Sequence, residues 1–312
     1  MEIWDIIVKV TNLINGIINM IMKGSEKMKE KFKSFFAAIG YLLLVLVIQV
    51  VVSGIAGMVI GFIYAATSLS SGSEVDILGI ENYIGSSMSI IFILNNIITA
   101  VTILIIYRVR KKNIKEELQF IKSNNLNMII AIILGLSIWL FDSGVLSIIQ
   151  EAGLLAEHFA TMEETLSPIT QGNMFIVIIS VGIIGPFVEE LIFRGLIYKT
   201  LIKKFSVLWT IIIQAILFGL FHFNLIQSAY ATLMGILLGY AVYKTKSIWP
   251  AVLMHIVNNL ASSIIPELVP EAIITRGVHI AFIILGTIGV FASIYLIKSK
   301  NISVEEKLKI EI

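Results

Sequence analysis

Cysteine is absent from the chain, proline is scarce at 5 residues, and charged side chains make up only 14% of 312 positions. The first absence excludes disulfides, thiolate metal sites, cysteine nucleophiles and cysteine lipidation. The shortage of charge, set against 57% hydrophobic residues and a mean hydropathy of +0.95, excludes a water-soluble domain of this size. A formal net charge of +2 gives no reason to expect nucleic acid as a partner. Neither a repeat of fixed period nor a matching pair of interrupted helices in two halves is present, which weakens a transporter reading. What remains is an all-α, polytopic membrane protein, with membrane lipid as its first partner.

Residues 1–22 mix Ile, Val, Leu and Met with Asp5, Lys9, Asn12, Asn15 and Asn19. That is too polar for a spanning helix and predicts an interfacial amphipathic helix. A basic linker follows, so residues 1–35 are expected to form a unit preceding the transmembrane domain of 36–300, with a cytoplasmic tail at 301–312. Eight stretches of spanning length fall at 36–66, 84–107, 127–149, 173–198, 206–223, 227–243, 247–265 and 278–298. All of the 23 Lys and Arg except Lys9, Arg194 and Arg276 fall in 23–33 and in the alternate loops 108–122, 199–204, 244–246 and 298–309. Basic loops stay in the cytoplasm, so both termini are expected there, in the inner (cytoplasmic) membrane of a bacterial cell.

Within the apolar spans a few polar residues stand out. The segment Gly185-Pro186-Phe187-Val188-Glu189-Glu190-Leu191-Ile192-Phe193-Arg194 puts two carboxylates and a guanidinium where each charge costs roughly 2.5 to 3.5 kcal/mol. Glu190 and Arg194, at i and i+4, can pair on one helix face, which leaves Glu189 free for other work. Pro186 with Gly182 and Gly185 predicts a bent or locally opened helix. A buried pair that only fixes packing is the competing reading, but it does not account for the second carboxylate. Two more i, i+4 pairs follow, Phe218 with His222 and His255 with Asn259. Gln49, Asn95, Asn96 and Gln214 are expected to be interhelical hydrogen-bonding residues, and Gly235 with Gly239 to permit a close helix approach. Asp142, an acid near one end of the third span, has no evident partner in the sequence; it fits either an interfacial position or a cation site.

Glu-Glu-x-x-x-Arg, Phe-x-x-x-His and His-x-x-x-Asn, in that order on separate spans, resemble the CPBP family of intramembrane proteases, which includes CAAX-prenyl endopeptidases and bacteriocin-immunity proteins. The resemblance covers residues 185–259, inside an expected protease core at 173–265. It implies a glutamic endopeptidase acting on a peptide or membrane-protein substrate. In it Glu189 and His222 activate a water and His255 and Asn259 hold the oxyanion, supported by Glu190, Arg194 and Phe218. Such chemistry needs a placed base and donors aimed at the developing negative charge. A non-proteolytic immunity or scaffold protein using the same cavity is the alternative.

Glu189, His222 and His255 are also a donor set that could bind Zn²⁺ with one position open, so a zinc-dependent form of the same protease is a second alternative. The absence of His-Glu-x-x-His favours a metal-free mechanism. Neither a Gly-x-Gly-Asp motif with a second catalytic Asp nor a Gly-x-Ser-x-Gly motif is present. Uniform spans would set Glu189 and His222 at different depths, since each residue rises about 1.5 Å through a core about 30 Å thick. A shared site therefore predicts a fourth helix continuing to about Lys204 and a fifth that starts deeper or tilts.

Overall fold

Each of the eight apolar stretches closes into a helix, as backbone N–H and C=O groups must where no water can satisfy them. In the computed structural model, which describes residues 2–170, 173–270 and 273–301, these are α1 (Glu2–Ser70), α2 (Met88–Val109), α3 (Asn125–Glu151), α4 (Met174–Leu201), α5 (Val207–Leu220), α6 (Leu225–Thr245), α7 (Trp249–Leu268) and α8 (Arg276–Lys300). Shorter helices, Ile77–Ser86, Ile114–Glu117 and Ala156–Thr170, lie in the connections. No strands occur among the described residues.

Seven of the eight are long and apolar enough to span a membrane, and the exception is α5. Residues 23–35, expected as a linker, are instead helical and continuous with the first span. The side chains expected to make an amphipathic face over residues 1–22 lie outside the described residues, Gly16 apart, as does the tail beyond Asn301. Large apolar side chains such as Val50, Met58 and Phe62 on α1 are exposed, which suits a surface solvated by lipid.

Contacts at one end of the bundle gather the basic segments. Lys204 pairs with Glu30 at 2.8 Å and Lys203 with Glu117 at 3.6 Å. Ser34 Oγ donates to Thr200 O, Ser247 Oγ donates to Ile121 O, and Asn127 exchanges hydrogen bonds with Asn301. The opposite end is tied by Ser89 Oγ to Ile169 O, Asn224 Nδ2 to His158 O and His279 Nδ1 to Glu151 at 2.7 Å.

Small residues set the helix spacing. A Cβ added at Gly286 on α8 would stand 2.6 Å from Phe141 N and 2.7 Å from Ser137 O on α3. Backbone cannot yield as a side chain would, so Gly286→Val should force α3 and α8 apart. Overpacking of this kind costs about 1–3 kcal/mol, to be read as a lowered midpoint of thermal unfolding in detergent. On the other side of the molecule Gly235 and Gly239 of α6 lie against Ala215 and Gln214 of α5, the close approach expected from their spacing.

Candidate active site

The fourth span alternates helix types. Ile178–Ile184 and Leu191–Ile197 are π-helical, and Gly185–Glu190 between them is α-helical. The N–H of Gly185 bonds Ser180 O and that of Tyr198 bonds Phe193 O, each five residues back. Pro186, which has no N–H to give, opens the α-helical insert. This is the local opening expected of the glycines and proline, and widened turns of this type are frequent at functional sites. Because α4 runs on to Leu201, Glu189 falls near its middle.

The fifth span is shorter than its apolar run. α5 is only 14 residues long. At about 1.5 Å per residue it rises about 21 Å, less than the roughly 30 Å hydrocarbon core, so it stops at membrane depth. His222 therefore lies in a turn just past the helix end rather than on the helix. Phe223 has a left-handed backbone (φ 54°), and Asn224 caps α6 by accepting from the N–H groups of Ile226 and Gln227. Irregular backbone inside a membrane is tolerated where it is packed in protein or lines a cavity; here His222 lines a cavity and Asn224 is buried, while Phe223 is exposed.

The two glutamates have separate environments. Glu190 is fully buried, with Oε1 2.9 Å from Arg194 Nη1 and 3.0 Å from His255 Nδ1. Arg194 reaches Gly235 O through Nη2 at 3.3 Å, and its guanidinium sits 4.6 Å above the Phe218 ring. Phe218 also meets the rings of His222 and His255 edge to face, so one phenyl fixes three functional groups. Glu189, by contrast, keeps 17% side-chain exposure and lines a cavity of about 530 Å³. Its nearest ion-pair contact is His255 Nε2 at 3.7 Å, beyond direct hydrogen-bonding distance.

His222 lines the same cavity, and its Nδ1 lies 2.9 Å from Phe218 O. A carbonyl can only accept, so Nδ1 carries a proton and a neutral ring keeps Nε2 as an acceptor. Asn259 also lines the cavity; it donates to Val181 O at 3.1 Å and accepts from Asn258 Nδ2 at 3.2 Å. The residues expected at the site thus meet around one space, although the ion-pair contact of Glu189 is with His255 rather than with His222.

Sequence reasoning left out several lining residues: Trp139, Gln227 and Tyr230, and it gave Asp142 no place in the site. Only Asp142 carried a signal, as an unpartnered acid inside a span. Of the other polar residues, Asn95 bonds Ser53 of α1 and Gln214 bonds Gly235 O of α6, whereas Asn96 bonds within its own helix.

Residues 171–261 match the family described as type II CAAX prenyl endopeptidase Rce1-like. The chain is also 28% identical over 127 residues to a Bacillus subtilis (strain 168) protein named "Putative membrane peptidase YdiL". Over residues 171–261 the chain is thus similar to that endopeptidase family, in line with the resemblance carried by its three motifs. The matched stretch is 41% of this chain and 52% of that relative, so it spans about half the relative's length. No solved structure matches. All seven motif residues, from Glu189 to Asn259, fall within the matched segment, and α1, α2, α3 and α8 lie outside it.

Zinc has a poor fit here. Among the described residues no three of His, Cys, Asp and Glu converge on one point. No reaction step is derived through a metal.

Proposed function

We propose that this chain is an intramembrane glutamic endopeptidase of the bacterial cytoplasmic membrane, with Glu189 as the base. One observation carries the reading: of two adjacent carboxylates, Glu190 is sealed by Arg194 and His255, while Glu189 faces the cavity. A peptide bond is cut by removing a proton from water and by holding the negative charge that develops on the carbonyl oxygen. Glu189 takes the proton, and His222, with Nε2 available, orients the water. Serving the oxyanion requires a hydrogen on His255 Nε2, which faces the cavity, while Nδ1 donates to Glu190. Together with the second amide hydrogen of Asn259 this Nε2–H supplies the oxyanion donors.

Both termini are assigned to the cytoplasm, a reading supported by the gathering of the basic segments at one end of the bundle. The substrate is a peptide or membrane protein.

The test is cleavage. The full chain in lipid vesicles, supplied with membrane-anchored peptides and a strong chelator, should generate new termini detectable by mass spectrometry. Cleavage that needs zinc restored would overturn the metal-free mechanism. A chain that captures such peptides and never cuts them would overturn the protease reading in favour of an immunity or scaffold role.

A further inference from the structure

The cavity has a direction. Its lining descends from Glu267, Pro266 and Thr170 at the end of the bundle remote from the basic segments to Glu189 near the middle of α4. A second cavity of about 880 Å³ adjoins it on that same side, sharing Trp139, Ser143, Leu146, Met162 and Pro266 as walls. The helix Ala156–Thr170 forms one side of both, and the His279–Glu151 pair stands at the outer one. The two spaces are an inner chamber and its vestibule. At the other end, the contacts among residues 30–34, 117–121, 200–205 and 247–249 hold the basic segments together.

Charge in the two cavities is also one-sided. Asp142, Glu163, Glu189 and Glu267 line them, and among the described residues no Lys or Arg does. Carboxylates on low-dielectric walls focus a negative potential that concentrates cations.

We propose that the site takes its substrate from the extracytoplasmic face, through the vestibule, as a positively charged peptide segment exposed at the outer surface of the membrane. This rests on reading the inner chamber as the peptidase site. It sets the substrate apart from a prenylated C-terminus presented from the cytoplasm.

The cysteine-free chain is a ready background for the test. Ser143→Cys places one thiol between chamber and vestibule, and Ser262→Cys, on another helix of the chamber, serves if the first variant folds poorly. Ser73→Cys and Ser25→Cys give exposed controls at the outer and basic ends. Two membrane-impermeant methanethiosulfonates, one bearing trimethylammonium and one sulfonate, are applied to intact cells. The expected result is reaction at Ser143→Cys and Ser73→Cys but not at Ser25→Cys. The cationic-to-anionic rate ratio at Ser143→Cys should exceed that at Ser73→Cys by about tenfold, the low end for focused fields. Glu163→Gln with Glu267→Gln should lower that ratio towards the control. Labelling of the chamber only after the cells are opened, or of Ser25→Cys from outside, would overturn the direction of access. Equal ratios at Ser143→Cys and Ser73→Cys would overturn the charge preference. Labelling reads access and not hydrolysis, so a chain labelled as expected that never cleaves peptides overturns the protease reading alone.

Discussion

Glu189→Gln is expected to lower the rate of peptide cleavage about a thousandfold, in the middle of the range for losing a general base, while leaving the chain folded. The substitution preserves shape and removes only the ability to take a proton. Glu189 is partly exposed to the cavity and forms no hydrogen bond shorter than its 3.7 Å contact with His255, so little packing depends on its charge. Substrate affinity should survive, and the variant should retain uncut substrate. His222→Ala should produce a loss of similar order by removing the group that orients the water. The double variant should be little worse than either single one, because groups acting on one water are strongly non-additive. The decisive measurement is single-turnover cleavage in lipid vesicles beside a thermal unfolding midpoint. A Glu189→Gln protein that cleaves at more than a tenth of the normal rate would remove Glu189 from the base role.

Arg194→Met should affect folding before it affects chemistry. Glu190 is fully buried and Arg194 is its ion-pair partner, so the substitution leaves a carboxylate sealed in the protein without a counter-charge. Breaking a buried pair from one side costs about 3–5 kcal/mol, a large part of the stability of a typical domain. Glu190→Gln combined with Arg194→Met should recover most of that loss, since removing both charges also removes their desolvation penalty. The pair is not an efficient source of stability as built: Glu190 Oε2 and Arg194 Nε have no hydrogen-bond partner among the described residues. What it does hold is His255, through Nδ1 on Glu190 Oε1. Activity should therefore stay low in the stabilised double variant, because His255 loses the carboxylate that orients it. A double variant that is both stable and fully active would show that the pair serves packing only.

The pairing of Glu190 with Arg194 was legible in their i, i+4 spacing, since helical periodicity alone brings those two side chains together. The widened turns around Gly185–Glu190 were foreshadowed by Pro186 and its glycines, because a missing N–H has to be absorbed locally. Helix count and spacing followed from apolar runs and from Gly235 with Gly239. Other features depended on residues distant in sequence. His255 binds Glu190 across 65 positions, and no spacing rule links two separate spans. Asp142 joins the cavity wall only because α3 packs against α7.

By itself the sequence determined an all-helical membrane protein with seven residues of one motif set, six of them polar. Its hydropathy leaves the backbone no other way to satisfy its hydrogen bonds in lipid, and local periodicity fixes which residues share a helix face. Only the tertiary structure decided the depth at which those residues meet. α5 ends after 14 residues, and the turn that follows carries His222 into the wall of the chamber that Glu189 also lines. An apolar run reads the same whether its helix crosses the whole membrane or stops part-way. The stop is set by Asn224 capping α6 and by its bond to His158 O, a contact made by the fold.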